Sequence, residues 1–229
     1  RPFLLTDEEA AKAPEGYTNK VIKTAGDYKY SIVVSVMDCL GCGSCTHVCP
    51  KQALTMKPFD EEQPKSVIWD YVIKLPNKPN PANKGTVIGS QFEQPLLEFT
   101  GACAGCAETA YMKVLTQLFG QRMLVANATG CTQAWGSAMP SLSYTVNKDG
   151  FGPAWSNSVF EDNAEFALGM SLSMEQQRDD IRLKTEELVT LVDGELRDAA
   201  NKWLESFGCS NEGEVTEATS KAYIAALAK

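Results

Sequence analysis

Histidine is almost absent from this chain of 229 residues, which contains only His47. Catalytic triads that depend on histidine are therefore excluded. The sequence has no apolar run near the roughly 20 residues that a membrane-spanning helix needs, and no basic-then-apolar leader. Basic residues are outnumbered, 21 against 29 acidic ones, and the formal net charge of −8 argues against a nucleic-acid partner. We expect a cytoplasmic protein with no membrane segment.

Cysteine, by contrast, is plentiful for a chain without an export signal. The eight cysteines fall largely into C-x-x-C groups rather than the pattern of a small secreted domain. Metal ligation in a reducing compartment is the better interpretation. The length allows one or two domains with a core of their own.

The densest group of cysteines contains Cys39, Cys42, Cys45 and Cys49, with Pro50 directly after it. This is the bacterial spacing for iron–sulfur ligation, in which the fourth cysteine serves the other cluster of a two-cluster ferredoxin. We therefore expect the first three to hold one 4Fe-4S cluster and Cys49 to reach a second. Two alternatives stay open: a one-cluster ferredoxin in which Cys49 closes its own site, and a structural zinc site.

The second cluster finds no further ligands upstream, because residues 1–38 contain no cysteine. Together with Arg1 in place of an initiating methionine, this indicates an internal piece of a longer polypeptide. The piece would begin after the first half of a two-cluster ferredoxin module.

A second cysteine pair, Cys103 and Cys106, opens a predicted helix whose first turn carries Glu108. A helix N-terminus stabilises thiolates, although a thioredoxin-type pair or half a zinc site has the same spacing. Cys131 follows a predicted strand, which gives three candidate ligands from two loops. The fourth ligand is Cys209 or a cysteine beyond Lys229, and we favour an ordinary turn residue for Cys209.

The hydrophobic pattern predicts the elements around these loops. A strand at 32–36, a short helix and a return strand at 52–56 form half a ferredoxin unit after a connecting segment at 1–30. Residues 57–90 are expected to be loop-like, with a domain boundary between about 85 and 97. A helix is predicted at 107–119 and a buried strand of a parallel sheet at 123–126. A functional loop is predicted at 132–160, a helix at 161–172, and a long surface helix or a pair of helices at 174–207.

Three segments, at residues 99–109, 126–131 and 152–166, resemble the thiamine diphosphate domain of the pyruvate:ferredoxin (flavodoxin) oxidoreductases. The run from Cys39 to Cys49 resembles the second cluster motif of the ferredoxin domain that precedes it. The fold that the resemblance implies is an α+β half-ferredoxin segment at 1–90. An α/β thiamine diphosphate-binding domain with a parallel sheet would follow at 91–229, and both would be incomplete.

The resemblance implies a homodimeric enzyme that oxidises pyruvate, transfers the acetyl group to coenzyme A and passes electrons through three 4Fe-4S clusters to ferredoxin or flavodoxin. By the family's motifs, Cys39, Cys42 and Cys45 would bind the medial cluster and Cys49 the distal one. The thiamine-proximal cluster would be bound by a set of three cysteines: Cys103, Cys106 and Cys131. Glu108 and Cys131 would also line the pocket for thiamine diphosphate and Mg2+.

The family's glycine-aspartate-glycine segment for magnesium and diphosphate is absent, and no catalytic residue is identifiable. We therefore expect this piece to be inactive alone and to need the remainder of the parent polypeptide or other subunits. A freestanding ferredoxin-like electron carrier and a zinc-stabilised, non-redox module are the competing functions.

Overall fold

The computed structural model describes residues 1–137, 142–158, 162–208 and 213–229. They form two compact units, 1–163 and 164–229. The first is a mixed α/β unit that contains both cysteine loops, and the second is helical. The predicted domains at 1–90 and 91–229 stay a prediction. None of the helices in the described residues is both long and apolar enough to cross a membrane.

The elements of the first unit alternate between short strands and mostly short helices. The strands are β1 (Pro2–Leu5), β2 (Lys20–Val21), β3 (Lys29–Ile32), β4 (Leu124–Asn127) and β5 (Ala154–Asn157). The helices are α1 (Asp7–Ala11), α2 (Ser44–His47), α3 (Phe59–Glu62), α4 (Ser66–Val72), α5 (Val87–Phe92), α6 (Ala107–Phe119) and α7 (Cys131–Ser137).

An antiparallel sheet of three strands, in the order β1-β3-β2, opens the chain. The expectation of a connecting segment at 1–30 is therefore wrong. Pairing between β1 and β3 joins residues about thirty positions apart, for example Pro2 with Ile32, and such distant pairing leaves no local signal. The side chains of Val33, Ile68 and Val72 form a small core beneath the sheet.

The expected half-ferredoxin pattern is only partly present. A strand precedes the first cysteine loop, but β3 ends at Ile32 instead of running to residue 36. Residues 52–56 are exposed and irregular, so the predicted return strand is wrong. A strand needs a partner for its backbone groups, and no described strand pairs with this segment. Residues 57–90 also contain α3, α4 and part of α5, which the many prolines did not predict.

The region of the second cysteine loop follows the sequence more closely. Helix α6 has the predicted bounds, and β4 lies one residue beyond the predicted strand. Strand β4 pairs with β5 in parallel, with Asn127 opposite Asn157, which confirms a small parallel sheet. Strand β5 and all of α7 after its first residue lie inside the stretch predicted as a functional loop at 132–160.

In residues 164–208 and 213–229, the second compact unit has three helices, the first of which begins at the boundary of the unit: α8 (Asn163–Leu191), α9 (Glu195–Ser206) and α10 (Gly213–Leu227). The predicted helices at 161–172 and 174–207 are thus confirmed as helical, but the break falls after Leu191. Trp203 donates a hydrogen bond from Nε1 to Ser220 Oγ at 3.1 Å, and its ring packs 5.7 Å from Tyr223. These contacts hold α9 and α10 together. Glu161 and Cys209 lie outside the described residues.

Candidate metal and cofactor site

The first cysteine loop runs from the end of β3 through α2, which begins immediately after Gly43. Cys39, Cys42 and Cys45 are exposed, and Cys49 is half-buried. The backbone amide of Ala53 donates to Cys49 Sγ at 3.3 Å. That amide, followed by others of residues 51–54, lowers the pKa of the Cys49 thiol. Amides directed at sulfur are the environment that favours thiolate ligands.

Cys42 lies where the first cysteine loop meets the second. Its sulfur is 3.4 Å from Ser44 Oγ. The hydroxyl of Ser44 makes the largest contribution to lowering the pKa of Cys42, and the backbone amide of Gly105 adds a smaller one. Gly105 belongs to the Cys103–Cys106 loop. The fold therefore brings together two cysteine loops that are some sixty residues apart in the sequence.

The second cysteine loop is held at both of its ends. On its N-terminal side Phe99, in the left-handed region at φ 57°, packs its ring edge-on to Trp69 at 5.7 Å. Within the loop, the amide of Cys106 donates to the carbonyl of Cys103 at 3.0 Å. Helix α6 begins directly afterwards at Ala107. The turn therefore presents Cys103, which is exposed, and Cys106, which is half-buried, at a helix N-terminus.

Glu108 and Cys131 are brought to the same place. The hydroxyl of Thr132, the neighbour of Cys131 on α7, donates to Glu108 Oε1 at 2.7 Å. The carboxylate of Glu108 also acts on Tyr144. Burial makes the largest contribution to raising the pKa of the Tyr144 phenol, and the charge of Glu108 raises this pKa further. The α6 N-terminus and the α7 N-terminus therefore meet across a polar contact.

Buried polar atoms without a partner surround β4, β5 and α7. Gly136 on α7 faces Tyr144 and Trp155, which ties the helix to the parallel strand pair. Among the described residues, these unpartnered atoms are Asn127 Nδ2, Trp135 Nε1, Tyr144 Oη, Trp155 Nε1 and Asn157 Oδ1. Buried polar groups are normally satisfied, so their concentration here indicates a place where a further polar group belongs. The carboxyl edge of parallel strands is also where α/β sheets bind ligands.

Some predicted site residues are not brought together. In residues 1–137, 142–158, 162–208 and 213–229, no three His, Cys, Asp or Glu side chains converge closely enough to hold a metal ion. The contacts that join these elements run through Ser44, Gly105 and Thr132. His47 is exposed, as expected for a histidine within the loop.

Sequence reasoning missed several residues of this region. Thr132 directly follows Cys131, and Asn127 directly follows the predicted strand at 123–126, so their positions were signals that were available. Tyr144 and Trp155 came within a loop-like stretch and gave no such signal. Their role depends on the pairing of β4 with β5, which only the fold reveals.

Comparison with known proteins identifies the first cysteine loop. A family model described as a 4Fe-4S binding domain matches residues 32–55, which include the whole first cysteine loop. This match confirms an iron–sulfur domain at Cys39–Cys49. It does not extend to the second cysteine loop.

Relatives match much more of the chain. A pyruvate-flavodoxin oxidoreductase of Klebsiella pneumoniae is 50% identical over 219 residues, which are 94% of this chain and 18% of that protein. A pyruvate:ferredoxin oxidoreductase of Moorella thermoacetica is 49% identical over 186 residues, or 79% of this chain and 16% of that protein. A pyruvate dehydrogenase (NADP+) of Cryptosporidium parvum is 52% identical over 188 residues, or 80% of this chain and 10% of that protein.

The chain spans less than a fifth of the length of these relatives. The relationship that the motifs indicated is confirmed over nearly the whole sequence. By homology, the chain belongs with one segment of the pyruvate-flavodoxin and pyruvate:ferredoxin oxidoreductases.

Proposed function

We propose that this chain is the electron-relay and cofactor-facing segment of an enzyme that oxidises pyruvate with coenzyme A. The reaction is pyruvate− + CoA-SH → acetyl-CoA + CO2 + H+ + 2 e−, and the electrons leave one at a time for ferredoxin or flavodoxin. When bound, thiamine diphosphate supplies the electron sink for decarboxylation, and iron–sulfur clusters accept single electrons. The observation that carries the proposal is that one compact unit holds both cysteine loops and the Glu108–Thr132 contact.

The donor set fits iron–sulfur ligation. The cysteines of the first loop are free and largely exposed, so their sulfur atoms are accessible to a metal group. Backbone amides directed at Cys49 and Cys42 favour the thiolate form that iron requires. We assign Cys39, Cys42 and Cys45 to the medial 4Fe-4S cluster and Cys49 to the distal one.

The second loop would hold the third cluster through Cys103, Cys106 and Cys131. Cys103 and Cys106 lie at the N-terminus of α6, where the helix dipole favours negative charge. Cys131 is the first residue of α7, whose N-terminus meets that of α6 through Thr132 and Glu108. A fourth ligand would come from outside this set.

The polar edge of β4 and β5 fits a large polar cofactor. Its unpartnered buried atoms include a donor on Asn127 and an acceptor on Asn157, at opposing positions of the strand pair. A ligand with both donors and acceptors, such as the aminopyrimidine and diphosphate of thiamine diphosphate, would satisfy groups of both kinds. Magnesium would accompany the diphosphate, and its ligands would come from outside this chain.

The residues of this chain would position the bound groups and keep water from them, and would not themselves make or break bonds. Thr132 holds the Glu108 carboxylate in a fixed orientation beside Cys131. Trp135, which is 3% exposed, closes the apolar side of α7 and keeps water from that face. The rest of the assembly would contact pyruvate, coenzyme A, a second protomer and the ferredoxin or flavodoxin acceptor.

The test is anaerobic purification of the native protein that contains this sequence. We expect a polypeptide much heavier than the 24.9 kDa of this chain. We also expect about 12 iron atoms per protomer, with matching sulfide, for three 4Fe-4S clusters. Bound thiamine diphosphate and bleaching of the iron–sulfur absorption by pyruvate complete the expectation.

Each competing function gives a different result. Stoichiometric zinc without iron or sulfide would establish the scaffold module and refute the relay. A 25 kDa species with clusters but no thiamine diphosphate would establish a freestanding carrier. Replacing Cys103 with serine should remove the iron of one cluster only, whereas the first-loop clusters stay assembled.

A further inference from the structure

Ser44 of the first cysteine loop and Gly105 of the second lie against each other. A Cβ atom built on Gly105 would lie 3.1 Å from Ser44 Oγ, tighter than side chains ordinarily pack. Ser44 Oγ is in turn 3.4 Å from Cys42 Sγ. The Ser44 hydroxyl therefore lies between Gly105 of the second loop and the Cys42 sulfur of the first loop.

The two residues hold matching places in their motifs. Ser44 lies between Cys42 and Cys45, and Gly105 lies between Cys103 and Cys106; each directly precedes the last cysteine of its pair. The loops thus meet at the interior of both C-x-x-C turns, not at their outer ends. A longer distance between Ser44 and Gly105 would therefore also mean a longer distance between the groups that the two turns hold.

We propose that the Ser44–Gly105 contact sets the spacing between the two iron–sulfur sites, with Gly105 as the positioning residue that permits the close approach. This inference rests on the proposed function, since it presumes that both turns hold clusters. The step it controls moves one electron: the second-loop site is oxidised by one electron, the first-loop site is reduced by one, and no bond or proton is exchanged. The rate of such a transfer falls steeply with distance.

Two properties of Gly105 support this role. Its φ of +76° lies in the left-handed region that side chains disfavour. A methyl group on its Cα would lie 3.1 Å from the Ser44 hydroxyl, so that the two residues must move apart by a few tenths of an ångström. Gly101, which belongs to the same loop, has open space around it and shows neither constraint.

The variants follow from this geometry and would be made in the complete, cluster-loaded enzyme. Gly105→Ala adds a methyl group at the contact, and Ser44→Ala/Gly105→Ala removes the hydroxyl that the methyl group meets. Gly101→Ala is the control for the same loop. Gly150→Ala is the control for backbone strain, because Gly150 has φ +85° but no neighbour within 4 Å.

The first readout is independent of turnover: electron paramagnetic resonance of the dithionite-reduced enzyme, in which magnetic interaction between the two sites broadens their signals. We expect Gly105→Ala to weaken the interaction, the double variant to restore it, and both controls to match the wild type. The second readout is the rate of first-loop reduction after mixing with pyruvate, which should fall in Gly105→Ala and stay at the wild-type value in the double variant and in both controls.

Equal interaction in Gly105→Ala and wild type, with equal iron content, would overturn the inference and leave the proposed function intact. Absence of iron from the second loop of the wild-type enzyme would refute the proposed function itself. If Gly105→Ala does not assemble, Ser44→Thr enlarges the contact from the first loop on an ordinary helical backbone. The inference then requires the same weakened interaction in Ser44→Thr, and an unchanged signal there refutes it.

Discussion

Replacing Thr116 with valine is a sharp test of how the second cysteine loop is supported. Thr116 lies on α6 and is 2% exposed. Its hydroxyl accepts a hydrogen bond from the buried amide of Leu96 at 3.1 Å and donates one to the carbonyl of Lys113 at 2.8 Å. Valine has nearly the same shape but can do neither, so the Leu96 amide would be left buried without a partner.

The magnitude can be worked from these contacts. An unsatisfied buried amide costs about 1–3 kcal/mol, while the added methyl group recovers about 0.8 kcal/mol of hydrophobic burial. We therefore expect Thr116→Val to lower the free energy of unfolding of the first unit by about 0.2–2.2 kcal/mol. Urea denaturation of the 229-residue chain should show a lower midpoint with an unchanged slope.

The matched control is Thr109→Val on the same helix. The Thr109 hydroxyl donates to the carbonyl of Cys106 at 3.1 Å, the same local pattern, but it accepts no buried amide. We expect its effect to stay within about 0.5 kcal/mol. Amide hydrogen exchange at Leu96 supplies the local readout and should accelerate only in Thr116→Val. If both variants unfold alike and Leu96 stays protected, the reasoning is refuted.

Three further predictions concern other contacts. Gly89→Ala should destabilise the first unit by at least about 1–3 kcal/mol in urea denaturation, because its Cβ would lie 1.9 Å from a backbone carbonyl oxygen; wild-type stability would contradict this close approach. For Glu9, burial raises the pKa, but hydrogen bonds, led by that from Lys78, outweigh it and lower the pKa below its usual value. The pair at 2.7 Å therefore stabilises the fold above about pH 4.3, the unfolded pKa, and the effect is lost as the pH falls through the lower folded pKa. The stability difference between wild type and Glu9→Gln should shrink over that acidic range, and a constant difference would be the contrary result. Thr132→Val should free the Glu108 carboxylate and raise the dissociation constant for thiamine diphosphate in the complete enzyme with iron content unchanged, whereas unaltered cofactor affinity would speak against this contact.

The elements best predicted from sequence are those fixed by local signals. Helix α6 has apolar residues at helical spacing and ends before Gly120, so its bounds followed directly. Strand β4 is a short apolar run and was placed within one residue. The strand β1 was missed because its partner β3 is distant in sequence, and the return strand at 52–56 was wrong because a strand pattern alone does not guarantee a partner.

The candidate site shows the same division between local and distant information. The spacing of Cys39, Cys42, Cys45 and Cys49 predicted an iron–sulfur domain, which the family match confirms. The contact between Ser44 and Gly105 joins residues that no local pattern relates. Such contacts depend on how several short elements pack, and a single sequence does not specify that packing by its periodicity.

Because residues 1–163 form one compact unit, the two cysteine turns and the edge of β4 and β5 share a common frame. If, as proposed, an assembly around this segment opens to admit a substrate or an electron acceptor, we expect the turns and the strand edge to move together as one unit. The distances between the two cysteine turns and the strand edge would then stay the same through each cycle of opening and closing. The rest of the assembly could then move to bind other molecules without changing the distances over which electrons would pass within this unit.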